Sequence, residues 1–118
     1  MDGAVDIAGF REWLVDAGAE AMLGDFLATF RTDAPNRLQA LEQAAASRDA
    51  KAIERAAHKY RSAAVTVFAV TLGDLLGQVE VAAARGDLPA ASAVLDAVRL
   101  EHGRVMAWLS SSQLDGTR

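Results

Sequence analysis

The sequence contains no cysteine, which removes disulfides, thiolate nucleophiles and cysteine metal sites and is compatible with a reducing compartment. It has only two prolines in 118 residues, few β-branched runs and no stretch of alternating apolar and polar residues, so nothing in it reads as sheet. There is no block of lysine and arginine, and the net charge is −4. The basic footprint that nucleic acid or an anionic membrane requires is therefore missing. No apolar run approaches the roughly 18 residues needed to span a bilayer, and early Asp2 and Asp6 do not suit a secretory leader. The nine glycines are scattered, and none builds a phosphate-cradling loop ahead of a helix, so self-phosphorylation from ATP is not expected. Paired catalytic carboxylates, a His-Glu-x-x-His helix and a serine or cysteine triad are also missing, which removes the common hydrolase chemistries. The expectation is a cytoplasmic protein that is not an autonomous enzyme and needs neither cofactor nor metal.

What is present is alanine and amphipathic periodicity. The hydrophobic share of 52% is weighted towards alanine, which favours helix. Residues 6–16 place Ile7, Phe10, Trp13 and Leu14 at helical spacing between a capping Asp6 and a terminating Gly18, a short helix whose aromatics close one end of a core. From Ala19 the stripe Leu23, Leu27, Phe30, Ala34, Leu38, Leu41 and Ala45 keeps its phase across Pro35. That continuity predicts one helix of roughly 28 residues bent at the proline, in preference to a new helix capped by Asp33. Asp49 caps the next helix. Thr71 and Asp74 give a modest capping signal for a fourth segment, with Leu72, Leu75, Leu76, Val79 and Ala83 as its core face and Gly86 as its stop. Asp87 and Pro89 open the last, in which Ala91, Val94, Leu95, Val98, Val105 and Leu109 face inward. Short connections make this an all-α chain, most simply an antiparallel up-down four-helix bundle with a short N-terminal capping helix. Residues 1–118 form one domain, with an ordered core over about residues 5–110 and a loose tail from Ser110.

The stretch around His58 is the most informative. Ile53, Ala57, Tyr60, Ala64 and Val67 recur at steps of four, three, four and three, one buried stripe. His58 lies about 100° round from Ala57, on a flank continued by Arg61, Ser62 and Val65, which places its imidazole at the surface. An accessible imidazole has a nucleophilic nitrogen, and Arg61 is a neighbour at i+3. Taken alone, these residues also describe an ordinary solvated helix face. Lys59 points elsewhere. His102 lies near the apolar seam of the last helix and reads as a packed histidine, since no basic residue follows it at the matching offset.

The register around His58 resembles that of the histidine-phosphotransfer (HPt) family, whose signature is Ala-His-x-Leu-Lys-Gly-Ser, a Gly-Ala turn, and a helix with Leu-x-x-Leu and a Leu-Glu or similar pair. Ala57 and His58 match its opening, Tyr60 stands for the leucine and Arg61 for the lysine. Ala69 falls at the turn alanine, and Leu72, Leu75 and Val79-Glu80 follow in step. The resemblance implies phosphorylation of His58 on its outer nitrogen, Arg61 offsetting the phosphoryl charge with a guanidinium fork suited to phosphate, and Glu80 holding the inner nitrogen. Glu80 alternatively pairs with a surface arginine. The family further implies a monomer that relays a phosphoryl group between receiver domains and a hybrid histidine kinase, the receivers supplying the aspartate and Mg²⁺. Ser62, Val65 and exposed parts of Phe10 and Leu14 would form the docking patch. Three positions depart from the pattern: Ser62 replaces the glycine that lets a partner approach, Ala63 the next serine, and Phe68 the turn glycine. Phe68 suggests a differently shaped turn. The alternative reading is an interaction module of the same fold without transfer activity, and a remote third is a small helical ligand-binding bundle.

Overall fold

The computed structural model describes residues 3–111. Among them are five α-helices, one 3-10 turn and no strand: α1 (Ile7–Asp16), the turn Glu20–Met22, α2 (Leu23–Ser47), α3 (Ala50–Thr66), α4 (Val70–Ala84) and α5 (Leu88–Leu109). Most of the tail from Ser110 lies outside the described residues. α3 packs along both α2 and α4, α5 lies against α4 and more briefly against α2, and α1 touches α2. Phe10, Leu14, Leu41, Tyr60, Leu72, Leu76, Val79, Val98, Val105 and Leu109 are the large side chains sealed in the interior.

Local chemistry sets the ends of these elements. Asp6, Asp49 and Asp87 each accept a hydrogen bond from the backbone N–H three residues on, at 3.0, 3.2 and 3.1 Å, which satisfies one orphan donor of the helix each precedes. α2 runs through Pro35 without interruption. It starts at Leu23, later than the predicted Ala19, because Gly18 turns the chain with φ +73 and Ala19 is non-helical, leaving Glu20–Met22 as a tighter turn with no side-chain cap.

The turn between α3 and α4 departs from expectation in an instructive way. The N–H of Ala69 bonds to the carbonyl of Ala64 at 2.9 Å and that of Phe68 to Val65 at 3.1 Å, the paired closure of a Schellman motif. α1 and α4 end in the same pattern, with Gly18 and Gly86 at the left-handed position. In α3 that position belongs to Phe68, with φ +60. The predicted change of turn shape does not occur: Phe68 adopts the glycine conformation, at a cost of about 1–2 kcal/mol. Its ring explains how. It stacks on buried Phe10 at 5.2 Å and meets Trp13 at 6.2 Å, and its carbonyl accepts the N–H of Asp6 at 2.8 Å. With the turn this tight, α4 starts at Val70, so Thr71 and Asp74 fall inside the helix and the predicted cap is unused; Ala69 occupies the cap position.

The two contributions of Phe68 are separable. Phe68→Ala keeps the strain and loses the ring, and is expected to lower unfolding free energy by about 2 kcal/mol for a partly buried aromatic. Phe68→Gly loses the ring but relieves the backbone, and is expected to be about 1 kcal/mol more stable than the alanine variant in urea denaturation. Equal stability of the two would contradict the strain.

Candidate functional site

The buried stripe of α3 is Ile53, Ala57, Tyr60, Ala64 and Val67, and it turns the next residue in sequence, His58, outward with its side chain 55% exposed. Across the seam, Val79 is buried in α4, which brings Glu80 to the rim facing α3. The three side chains meet there. The Nδ1 of His58 lies 2.9 Å from Oε2 of Glu80, and the Nε of Arg61 donates to the other oxygen, Oε1, at 2.8 Å. The stem of Arg61 crosses α4 at Gly77, where an added Cβ would lie 3.5 Å from Cδ of Arg61. An alanine there would touch the arginine stem at ordinary van der Waals distance.

Burial works to raise the pKa of Glu80, but hydrogen bonds from Arg61 and His58, together with their charges, outweigh it and hold the carboxyl below its ordinary value. As a carboxylate it only accepts hydrogen bonds, so the His58 nitrogen facing it carries the proton. The neutral ring is thereby held with Nδ1 as donor and Nε2 bearing the free lone pair. No hydrogen bond reaches Nε2 among the described residues, so its lone pair is unengaged. Nη2 of Arg61 lies 3.3 Å from Nδ1; with both groups donors, the guanidinium keeps N–H groups for another acceptor.

Of the residues proposed for docking, Ser62 and Val65 are exposed on the flank of α3 that carries His58. Phe10 and Leu14 are not: they are 0% and 1% exposed, because they form the inward stripe of α1, and they are removed from the patch. Trp13, expected in the core, is instead 53% exposed, at the outer end of the stack from Phe10 through Phe68. Among the described residues no group of three or more His, Cys, Asp or Glu is placed to hold a metal ion.

His102 pairs through Nδ1 with the hydroxyl of buried Tyr60. A tyrosine on a buried stripe requires such a partner, a signal in the sequence that points to His102 or another polar group opposite it. Burial lowers the pKa of His102, with Glu42 pulling the other way; Glu42 is itself held by Arg99 at 2.8 Å.

The Hpt domain family model matches residues 25–108, and the chain belongs to that family. The crystal structure of histidine-containing phosphotransfer protein B (HptB) from Pseudomonas aeruginosa PAO1 is similar, with TM-score 0.79 and 26% identity over 89% of this chain and 90% of that chain. A comparison with curated proteins returned no match. This is therefore an HPt protein, of a family whose members are phosphotransfer intermediates in two-component signalling and interact with receiver domains and histidine kinases. Among the described residues no helix is long and apolar enough to cross a membrane.

The depressed pKa of His102 has a sign that can be measured. Below the ordinary value of about 6.5 the unfolded chain binds a proton that the folded chain resists. The stability this group contributes is present above that pH and is lost as pH falls through its lower folded value. Between pH 7.5 and 5, the thermal midpoint of the wild type is expected to drop more than that of His102→Gln; parallel curves would contradict the assignment.

Proposed function

We propose that this chain accepts a phosphoryl group on Nε2 of His58 from an aspartyl phosphate of a receiver domain or hybrid histidine kinase and passes it to another receiver. The observation that carries this reading is the shared carboxylate of Glu80, bonded at once to His58 Nδ1 and Arg61 Nε. In the transfer step the Nε2 lone pair attacks phosphorus, an N–P bond forms, and the acyl P–O bond breaks with its electron pair leaving on the partner's aspartate. The ring keeps its proton on Nδ1 and so becomes cationic, and Glu80 faces that charge. Arg61 turns its remaining N–H groups towards the phosphoryl oxygens. The reverse sequence discharges the histidine to the next aspartate. The metal that assists belongs to the receiver.

In this reading the four long helices form an antiparallel up-down bundle, with α1 capping the end at which the α3–α4 turn lies. The short turns at residues 48–49, 67–69 and 85–87 and the neighbour relations of the helices support that arrangement. The chain acts as a single-domain monomer in the cytoplasm. A binding module without transfer is the second reading, favoured by Ser62, whose exposed side chain stands where the family pattern has glycine and partners approach closely.

Incubation with a phosphorylated receiver separates the two readings. The wild type is expected to acquire acid-labile, alkali-stable label and His58→Gln none, while Arg61→Ala slows transfer by about a hundredfold to a thousandfold, the scale of losing one charge-stabilising donor. Binding of the receiver without label on the wild type would establish the second reading.

A further inference from the structure

A groove of about 730 Å³ opens beside α3 and α4, and both Arg61 and Trp13 of α1 are on its lining. Its walls are apolar: Val65 and Val70 are 56% and 51% exposed, and Trp13 is 53% exposed. Gly73 keeps the floor low, since a Cβ there would lie 3.4 Å from Val65. Asp74 stands on the lining with no ion pair among the described residues. Large apolar side chains left open together, with an unpaired carboxylate beside them, are the composition of a docking surface rather than of a solvated face.

The position of the groove restricts what covers it. This inference rests on the phosphotransfer reading, in which the partner's aspartyl phosphate comes within about 3–3.5 Å of Nε2 of His58. A partner burying about 600–800 Å² on each side covers a disc about 14–16 Å in radius. Val65 is seven residues along α3 from His58, about 10 Å at 1.5 Å per residue, and Arg61 belongs to both the site and the groove. A partner whose footprint is centred on His58 therefore reaches Val65 and enters the groove.

We propose that the phosphoaspartate-bearing partner seats an aliphatic face in this groove, with Trp13 as its anchor and a basic side chain of the partner meeting Asp74. Trp13 suits that role because its exposed ring has a fixed neighbour on one side. Phe68, in its left-handed conformation, stands between it and Phe10, and a large aromatic with a packed neighbour is the residue type that anchors interfaces. The substitution of Phe for glycine at position 68 thus acquires a use: it builds the wall that holds the anchor.

Transfer from a phosphorylated receiver and labelling by phosphoramidate, a small donor that requires no docking, are to be compared for Trp13→Ala, Trp13→Phe and Val70→Asp. The last introduces a carboxylate in the first turn of α4, where the helix dipole favours it, so it tests the surface without threatening the fold. Trp13→Ala and Val70→Asp are expected to lower kcat/KM for the receiver at least tenfold through KM, Trp13→Phe to restore most of it, and phosphoramidate labelling of His58 to stay within twofold throughout. Receiver transfer unchanged in both Trp13→Ala and Val70→Asp, with phosphoramidate labelling intact, overturns the docking assignment alone. Equal losses with both donors overturn it too, by showing damage at His58. A dimer that Trp13→Ala dissolves without altering receiver transfer would give the groove to a second copy of the chain. A wild type that takes label from neither donor overturns the relay reading and the docking assignment with it.

Discussion

One carboxylate organises this surface. Glu80 offers one oxygen to His58 and the other to Arg61, and both groups are donors towards it. It fixes which imidazole nitrogen carries the proton, and it holds the guanidinium beside the ring. A neutral amide at this position could accept only through its single oxygen, so it could not offer His58 and Arg61 an acceptor atom each and would set no negative charge against them. The negative charge is the feature that lets two cationic or potentially cationic groups share one rim of α4.

The rest of the fold places that carboxylate. α3 and α4 are joined by a three-residue turn, which fixes the register of His58 and Arg61 against Glu80. Gly77 leaves room for the arginine stem to lie across α4. The turn survives the replacement of its usual glycine by Phe68 because the ring packs between Phe10 and Trp13 and its carbonyl is tied to Asp6. α1 therefore does more than close the hydrophobic end: it braces the turn that sets the register and supplies the exposed tryptophan beside it.

Much of this was legible in the sequence, and the exceptions have physical causes. The stripe from Ile53 to Val67 predicts an outward His58 because helical phase alone decides it, and Asp6, Asp49 and Asp87 serve as the caps their positions suggest. The meeting of His58, Arg61 and Glu80 could not be read from periodicity, because it depends on the offset between two helices; the family resemblance implies Glu80 beside His58, and the bond from Arg61 to Glu80 realises the alternative pairing with an arginine at the same time. Helical spacing puts Phe10, Trp13 and Leu14 on one side of α1, whereas burial follows the narrower Phe10–Leu14 stripe and leaves Trp13 on the flank. Phe68 was misread for a related reason. Steric preference argues against phenylalanine in the left-handed region, and only tertiary stacking reverses that preference. The start of α4 followed from the same turn, which closes before Thr71 is reached.

The shared carboxylate makes one prediction about a proton that a single spectrum can test. With the protein labelled with ¹⁵N in histidine and the rings neutral, above about pH 8, long-range ¹H–¹⁵N correlation reports which nitrogen of His58 is protonated. The account requires the proton on Nδ1, facing Glu80, with Nε2 showing the shift of an unprotonated nitrogen, and requires that preference to weaken in Glu80→Ala. A wild-type ring protonated chiefly on Nε2, or a tautomer indifferent to the loss of Glu80, would contradict it.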